Sequence, residues 1–372
     1  MTSQTDTSAI PTTTRLGPDP ARLRDALRRA AEVESAEAPV VTAYLDLRPE
    51  AHGERPGARA ELIAIRDRLD ELVEEHHPHT PARGSLDADR RRLDELLGTV
   101  PPNVEGLAVF ACSAAGLWEA VVAAEPFKTD AAAGPIADLY QLAALAGADD
   151  PAVVALVDIH SCRLFVRRRG DLVERRGPEE PPDEHRRHDQ GGWSQARYQR
   201  HVDEQDRRFA RVAAEAIDRL TERERAVAVI IGAEERASSV LLPALAERTR
   251  ALVVDVRHIS MHATADEVEA EVEPLLAALD EDRARQAADR ALAGVAAGEL
   301  GLIGARPVER ALEAGAVAEL VLDASRVQGL DRWDRARLVR RAILTDARVV
   351  VVHDHAELSG GDGVAATLRF RP

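Results

Sequence analysis

The sequence predicts an α/β protein made of three α/β domains. The middle one is a mixed sheet under long helices, and the last is a small α/β/α sandwich. Three observations carry this. Apolar runs of strand length recur along the chain, as at residues 153–157 and 226–231. Between them lie longer stretches with apolar residues at i, i+3, i+4 and i+7, the spacing of helices packed on a sheet. The length of 372 residues exceeds what one ordinary core holds. Hydrophobic residues make up 45% and aromatics only 3%, so Ala, Leu and Val must fill the interior.

In chain order, residues 1–18 form a Thr/Ser/Pro-rich leader, expected to be disordered. The first domain is expected over 19–148. It opens with a helix at 19–36, whose Leu23, Ala26, Leu27 and Ala30 share one face, and continues with a strand at 40–47. Helices at 59–76 and 87–97 follow, then a hairpin of strands 106–112 and 117–122, and a turn at 147–151 closes the domain. The middle domain, 149–262, opens with strands 153–158 and 161–167 joined by a tight turn at Ile159 and His160. A polar loop then leads to a helix at 194–220 with Phe209, Val212, Ala213, Ala216, Ile217 and Leu220 on one face. The strand at 226–231, a helix at 237–249 and a strand at 251–256 complete it. Residues 263–297 read as a connecting helix, N-capped by Thr264 with acids in its first turns. The last domain, 298–372, alternates helices at 307–314 and 332–345 with strands at 318–323, 348–352 and 364–370.

Composition excludes several classes. No apolar run approaches the ~20 residues of a membrane span, and the N-terminus lacks the apolar core of a signal peptide. Cys112 and Cys162 both lie in strand-like segments, as buried, reduced thiols would. A cytoplasmic protein without a membrane partner is expected. The net charge of −16 argues against a surface coated for DNA or RNA. Residues 163–208 are the exception: twelve arginines face ten acids there, a net of +2, while the remainder carries −18. Lys128 is the single lysine among 49 basic residues. His76, His77 and His79 read as a helix-end tail, not a metal site, and the glycines at 360, 361 and 363 lack the Lys-Ser/Thr of a phosphate loop. No metal or cofactor is expected.

The polar loop, residues 175–190, has almost no apolar anchor and ends in Gly191-Gly192-Trp193-Ser194-Gln195-Ala196-Arg197-Tyr198-Gln199-Arg200. Two adjacent glycines permit close backbone approach to another molecule, because no Cβ intervenes. An exposed, mobile probe on a rigid helical base is expected, with Ser194 as N-cap.

The strand pair before this loop, the Gly191-Gly192 tip, the helix start and residues 310–317 together resemble the archaeo-eukaryotic class-one peptide release factor family. That family includes the Vms-type peptidyl-tRNA hydrolases, and the resemblance spans about 150–372. It implies a middle domain that reaches the peptidyl transferase centre of the large ribosomal subunit, and a last domain resembling kink-turn-binding ribosomal proteins. The implied partners are the large subunit, its rRNA and peptidyl-tRNA. The implied chemistry is hydrolysis of the ester joining the nascent chain to tRNA. The family's release factors carry Gly-Gly-Gln, whereas Trp193 stands here in the glutamine position. An indole donates one hydrogen bond but accepts none from water, so Gln195, with a donor and an acceptor, is the first candidate. Gly191, Gly192, Trp193 and Ser194 complete the catalytic set, and Arg186, Arg187, Arg197, Arg200 and Tyr198 are the RNA-binding candidates. The alternative is a non-catalytic stress or hibernation factor occupying the A site. A more distant one is a free-standing RNA-binding protein. Residues 19–148 have no clear counterpart in the codon-reading domain of release factors, which argues against stop-codon recognition.

Overall fold

A computed structural model describes residues 14–15, 20–48, 56–99, 104–123, 125–147, 150–168, 171–178 and 195–372. The elements in order are β1 (Thr14–Arg15), α1 (Pro20–Glu32), β2 (Val40–Asp46), α2 (Pro56–Glu74), α3 (Pro81–Leu97), β3 (Gly106–Cys112), β4 (Leu117–Ala123), β5 (Asp130–Gly134) and α4 (Tyr140–Gly147). Then come β6 (Ala152–Val157), β7 (Cys162–Arg168), β8 (Asp171–Arg175), α5 (Gln195–Glu224), β9 (Ala228–Ala233), α6 (Glu235–Leu241), α7 (Glu247–Arg250), β10 (Val253–Arg257) and α8 (Ala265–Ala296). The chain ends with β11 (Gly301–Ile303), α9 (Ala305–Glu313), β12 (Val317–Asp323), α10 (Arg332–Leu344), β13 (Arg348–Val352) and β14 (Val364–Leu368). The class is α/β, with three sheets. They divide between two compact units, one of residues 1–148 with 281–372 and one of residues 149–280.

The second unit holds a mixed sheet in the order β10-β9-β6-β7-β8, parallel from β10 to β6 and antiparallel beyond. Both faces are covered, which is why its inner strands read as unbroken apolar runs. Val153, Ala155, Val229 and Ile231 pack under Phe209, Ala213, Ile217 and Leu220 of α5. Val154, Leu156, Phe165 and Ile230 pack under Val268, Val272 and Leu276 of α8. The single helix expected at 237–249 is interrupted. α6 stops at Leu241, a 3-10 turn over Leu242–Ala244 follows, and α7 begins after it. Pro243 has no N–H to continue the ladder. Pro274 does not break α8, and Arg257 donates to the Glu271 carbonyl in the turn before it at 2.7 Å. Thr264 caps α8 through a reciprocal box with Glu267, with bonds of 3.2 and 2.8 Å.

In the first unit, sheets of order β1-β4-β3-β2-β5 and β11-β14-β12-β13 share one core. Leu23, Leu27 and Leu142 of α1 and α4 join Leu312 of α9 and Leu338 and Val339 of α10 in a single buried cluster. The outer face of the first sheet lies under α2 and α3, and that of the second under Ala287, Ala288 and Ala291 of α8. The expected first and third domains are thus one compact body. In the leader, Thr14 and Arg15 pair in parallel with Val121 and Val122, so these two residues add a strand where disorder was expected.

Candidate functional site

The glycine loop is attached to the second unit at two points, the end of β8 and the start of α5. Its first attachment is tightly built. The Asp158 carboxylate accepts from the amides of His160 (2.7 Å) and Ser161 (2.6 Å), fixing the β6–β7 turn as a side-chain-closed turn. β7 leads into β8, and the chain after β8 doubles back against the start of β7. There the Cys162 amide donates to the Pro178 carbonyl at 3.3 Å. Gly177 lies so close that an added Cβ would fall 1.9 Å from the Cys162 carbonyl oxygen.

Arg163 braces the same place. Its guanidinium holds Glu174 through Nε and Nη2, at 2.7 and 3.0 Å, and Nη1 donates to the carbonyls of Met261 (2.9 Å) and Ala263 (2.6 Å). It also lies over the Phe165 ring, 5.1 Å from its centre. The fork geometry of guanidinium suits this four-way role, which lysine could not fill. The hydrogen bonds from Arg163 hold the Glu174 carboxyl below its ordinary range.

The second attachment is α5. A helix of this length spans about 45 Å at ~1.5 Å per residue. Among the described side chains, its apolar contact with the sheet starts at Phe209, roughly 20 Å along by the same rise. Just before it, buried Asp206 is gripped by Arg236 at 2.7 and 3.0 Å. At its far end, Arg168 of β7 donates to the Glu224 carbonyl (3.0 Å) and to its carboxylate (3.2 Å). The helix is therefore anchored over its C-terminal half.

Behind the sheet, buried Arg167 pairs with Asp280 (2.6 Å) and Glu273 (3.1 Å). Burial opposes its charge, and the two carboxylates more than offset that, so its basicity rises. Burial pushes the Cys162 thiol up to about 12, with a smaller push from the Asp158 charge. That thiol is inert as a nucleophile.

Of the residues singled out from the sequence, Gln195 is the first residue of α5, and Arg197, Tyr198 and Arg200 follow on its first two turns, by backbone. Gly191, Gly192, Trp193, Ser194, Arg186 and Arg187 lie outside the described residues, as does the greater part of the loop expected to be mobile. Two contributors escaped the sequence reading, Arg163 and Gly177. Their signal was Gly170-Asp171 followed by Leu172 and Val173, a turn and a short strand that would have made β7 and β8 a hairpin. Among the described residues, no group of three or more His, Cys, Asp or Glu side chains is arranged to hold a metal. Nor, among them, is any helix long and apolar enough to cross a membrane.

A family model for bacterial archaeo-eukaryotic release factor family 10 matches residues 138–275, which contain both attachments and the loop between them. Over this segment the chain is similar to the archaeo-eukaryotic release factor family. No curated protein matches the sequence. Among solved structures, an archaeal translation termination factor aligns at 20% identity over 95% of this chain and 98% of its own, with a TM-score of 0.28. A ribosome-bound archaeal Pelota aligns at 16% over 94% of each chain, with a TM-score of 0.45. Pelota from Archaeoglobus fulgidus aligns at 16% over 94% of this chain and 92% of its own, with a TM-score of 0.37. The likeness to the release factor family rests on the sequence model, not on these distant structures.

Proposed function

We propose that this protein is a ribosome rescue factor that hydrolyses peptidyl-tRNA at the peptidyl transferase centre. The observation that carries the reading is the family match across 138–275, with Gly191-Gly192 between β8 and α5 inside it. A probe needs a stiff root, and the Arg163 brace, the Gly177 contact and the anchored half of α5 supply one. In this reading the large subunit, its rRNA and the peptidyl-tRNA are the partners, and the arginines at 186, 187, 197 and 200 contact phosphates.

The chemistry asked of the tip is modest. A water attacks the carbonyl carbon of the ester. The carbon–oxygen bond to the tRNA ribose breaks, and that oxygen leaves with a proton. A Gln195 amide can accept from the water and donate to the developing oxyanion. The amides of Trp193 and Ser194 assist, and Gly192 keeps the approach open. Removing one such donor typically costs on the order of 100-fold in rate.

The second reading, a non-catalytic factor occupying the A site, is favoured by one observation: Trp193 stands where the family's release factors carry glutamine. A release assay on stalled ribosome–nascent-chain complexes decides between the two. Gln195→Ala is expected to abolish release and leave cosedimentation with ribosomes intact. A protein that binds ribosomes and releases nothing, with Trp193 required for binding, would establish the second reading instead.

A further inference from the structure

The first unit contains a cleft of about 760 Å³ that the release-factor reading does not use. Its position is informative. β12 and β13 run parallel with α10 as their crossover, and the cleft opens at their carboxyl ends. Ala324 and Gln328 after β12, Val351 and His353 at the end of β13, and the first turn of α10 form one wall. In open α/β sheets this is where ligands are held, because the strands end together while their loops diverge. The opposite wall is the segment before β5 and the side of α4.

The lining has two parts. Leu145, Leu330 and Val351 provide an apolar bed. Around it stand cationic groups contributed by both walls. Arg332 and Arg335 are oriented by Asp138 at 3.5 and 3.4 Å, and Arg332 also by Asp130. Arg335 lies over the Tyr140 ring, 4.7 Å from its centre. Each guanidinium has five N–H donors, so these carboxylates fix the arginines without exhausting them. The Arg335 Nε–H is enclosed and meets no acceptor.

Lys128 and His353 are both exposed, one on each wall, and among the described residues neither has an ion-pair partner. The Lys128 backbone is held in place by Gln141, whose side-chain amide bonds both its N–H and its carbonyl at 2.9 Å. Glu125 is the third acid of the lining. Asp130 and Asp138 serve Arg332 and Arg335. Lys128 and His353 are left as lining groups without a carboxylate partner among the described residues.

We propose that this cleft binds an organic phosphate of mononucleotide size, its phosphate between Lys128 and His353 and its planar body on the apolar bed. The volume lies within the range of small-molecule sites and far exceeds what a bare phosphate needs.

The test uses the full chain without ribosomes, so its outcome is independent of the release assay. Adenosine monophosphate, adenosine and inorganic phosphate are titrated separately by calorimetry. Adenosine monophosphate is expected to bind at least tenfold more tightly than either part. Lys128→Met and His353→Ala, both at exposed positions that leave the fold intact, are each expected to weaken it by roughly tenfold, the usual effect of losing one charged contact. Absence of binding at millimolar concentration overturns the proposal, as does affinity unchanged in Lys128→Met. Equal affinity for inorganic phosphate overturns the organic class and leaves a bare anion site.

Discussion

Replacing Gly177 by alanine tests whether the loop root is as tightly built as its geometry indicates. The added Cβ would stand 1.9 Å from the Cys162 carbonyl oxygen and 2.8 Å from its carbon, both backbone atoms. Ordinary contact begins near 3.5 Å, so the two segments must part by roughly 1.5 Å. Overpacking of this kind costs about 1–3 kcal/mol. The parting also breaks the 3.3 Å bond from the Cys162 amide to Pro178, worth about 1 kcal/mol. The expected loss is roughly 2–4 kcal/mol, confined to the second unit. Because the protein has two units, a single melting curve is not a two-state measurement. Hydrogen exchange followed on peptides of β6 and β7 reads the second unit alone. Exchange there should speed up by about 30-fold or more, with the first unit unchanged, at roughly tenfold per 1.4 kcal/mol. Unaltered exchange in Gly177→Ala would show that the segment after β8 is free to move aside, and the stiff-root argument would fail.

Three further outcomes follow from the same structure. Burial pushes the Cys162 thiol from its ordinary 9.0 up to about 12, so between pH 9 and 12 the folded state keeps a proton that the unfolded state releases. Stability therefore falls as pH rises through that window, and Cys162→Ala should flatten the dependence of the urea midpoint between pH 8.5 and 10.5. An added Cβ at Gly134 would meet the Trp333 ring at 2.3 Å, so Gly134→Ala should cost about 1–3 kcal/mol in urea denaturation and distinctly less in a Trp333→Ala background. Alanine at Arg186, Arg187, Arg197 and Arg200 together should weaken ribosome cosedimentation and flatten its salt dependence, and an unchanged salt series would show that these charges only solvate the loop.

Much of this was legible because it is local. The doubly covered strands β6, β7 and β9 announced themselves as apolar runs, and α5 by Phe209, Ala213, Ile217 and Leu220 at helical spacing. The α8 cap was readable from Thr264 and the acids after it. The misses have physical causes. β5 is Asp-Ala-Ala-Ala-Gly, with no β-branched or aromatic residue to mark a strand, and it exists because β2 pairs with it. The end of α6 was missed because Pro243 sat inside an otherwise regular apolar pattern, while Pro274, in a similar setting, leaves α8 continuous. The union of the chain's two ends was invisible for a different reason. Leu142 and Leu338 each look like ordinary core residues, and only the fold reveals that they belong to the same core. At the candidate site, sequence pointed to the tip and missed its root, because Arg163 acts through two backbone carbonyls, and carbonyls leave no trace in composition.

The shared core of the first unit has a consequence for how the protein is made. Synthesis delivers residues 1–148 before the second unit and residues 281–372 after it. Until that later stretch emerges, Leu23, Leu27, Leu139 and Leu142 lack the α9 and α10 side chains that cover them. The second unit has its own sheet and its own two apolar layers, so it can close while the first waits half-built. A ribosome that stops before residue 281 therefore holds a chain with an open apolar face, and that face becomes sealed only once residues 281–372 have been made.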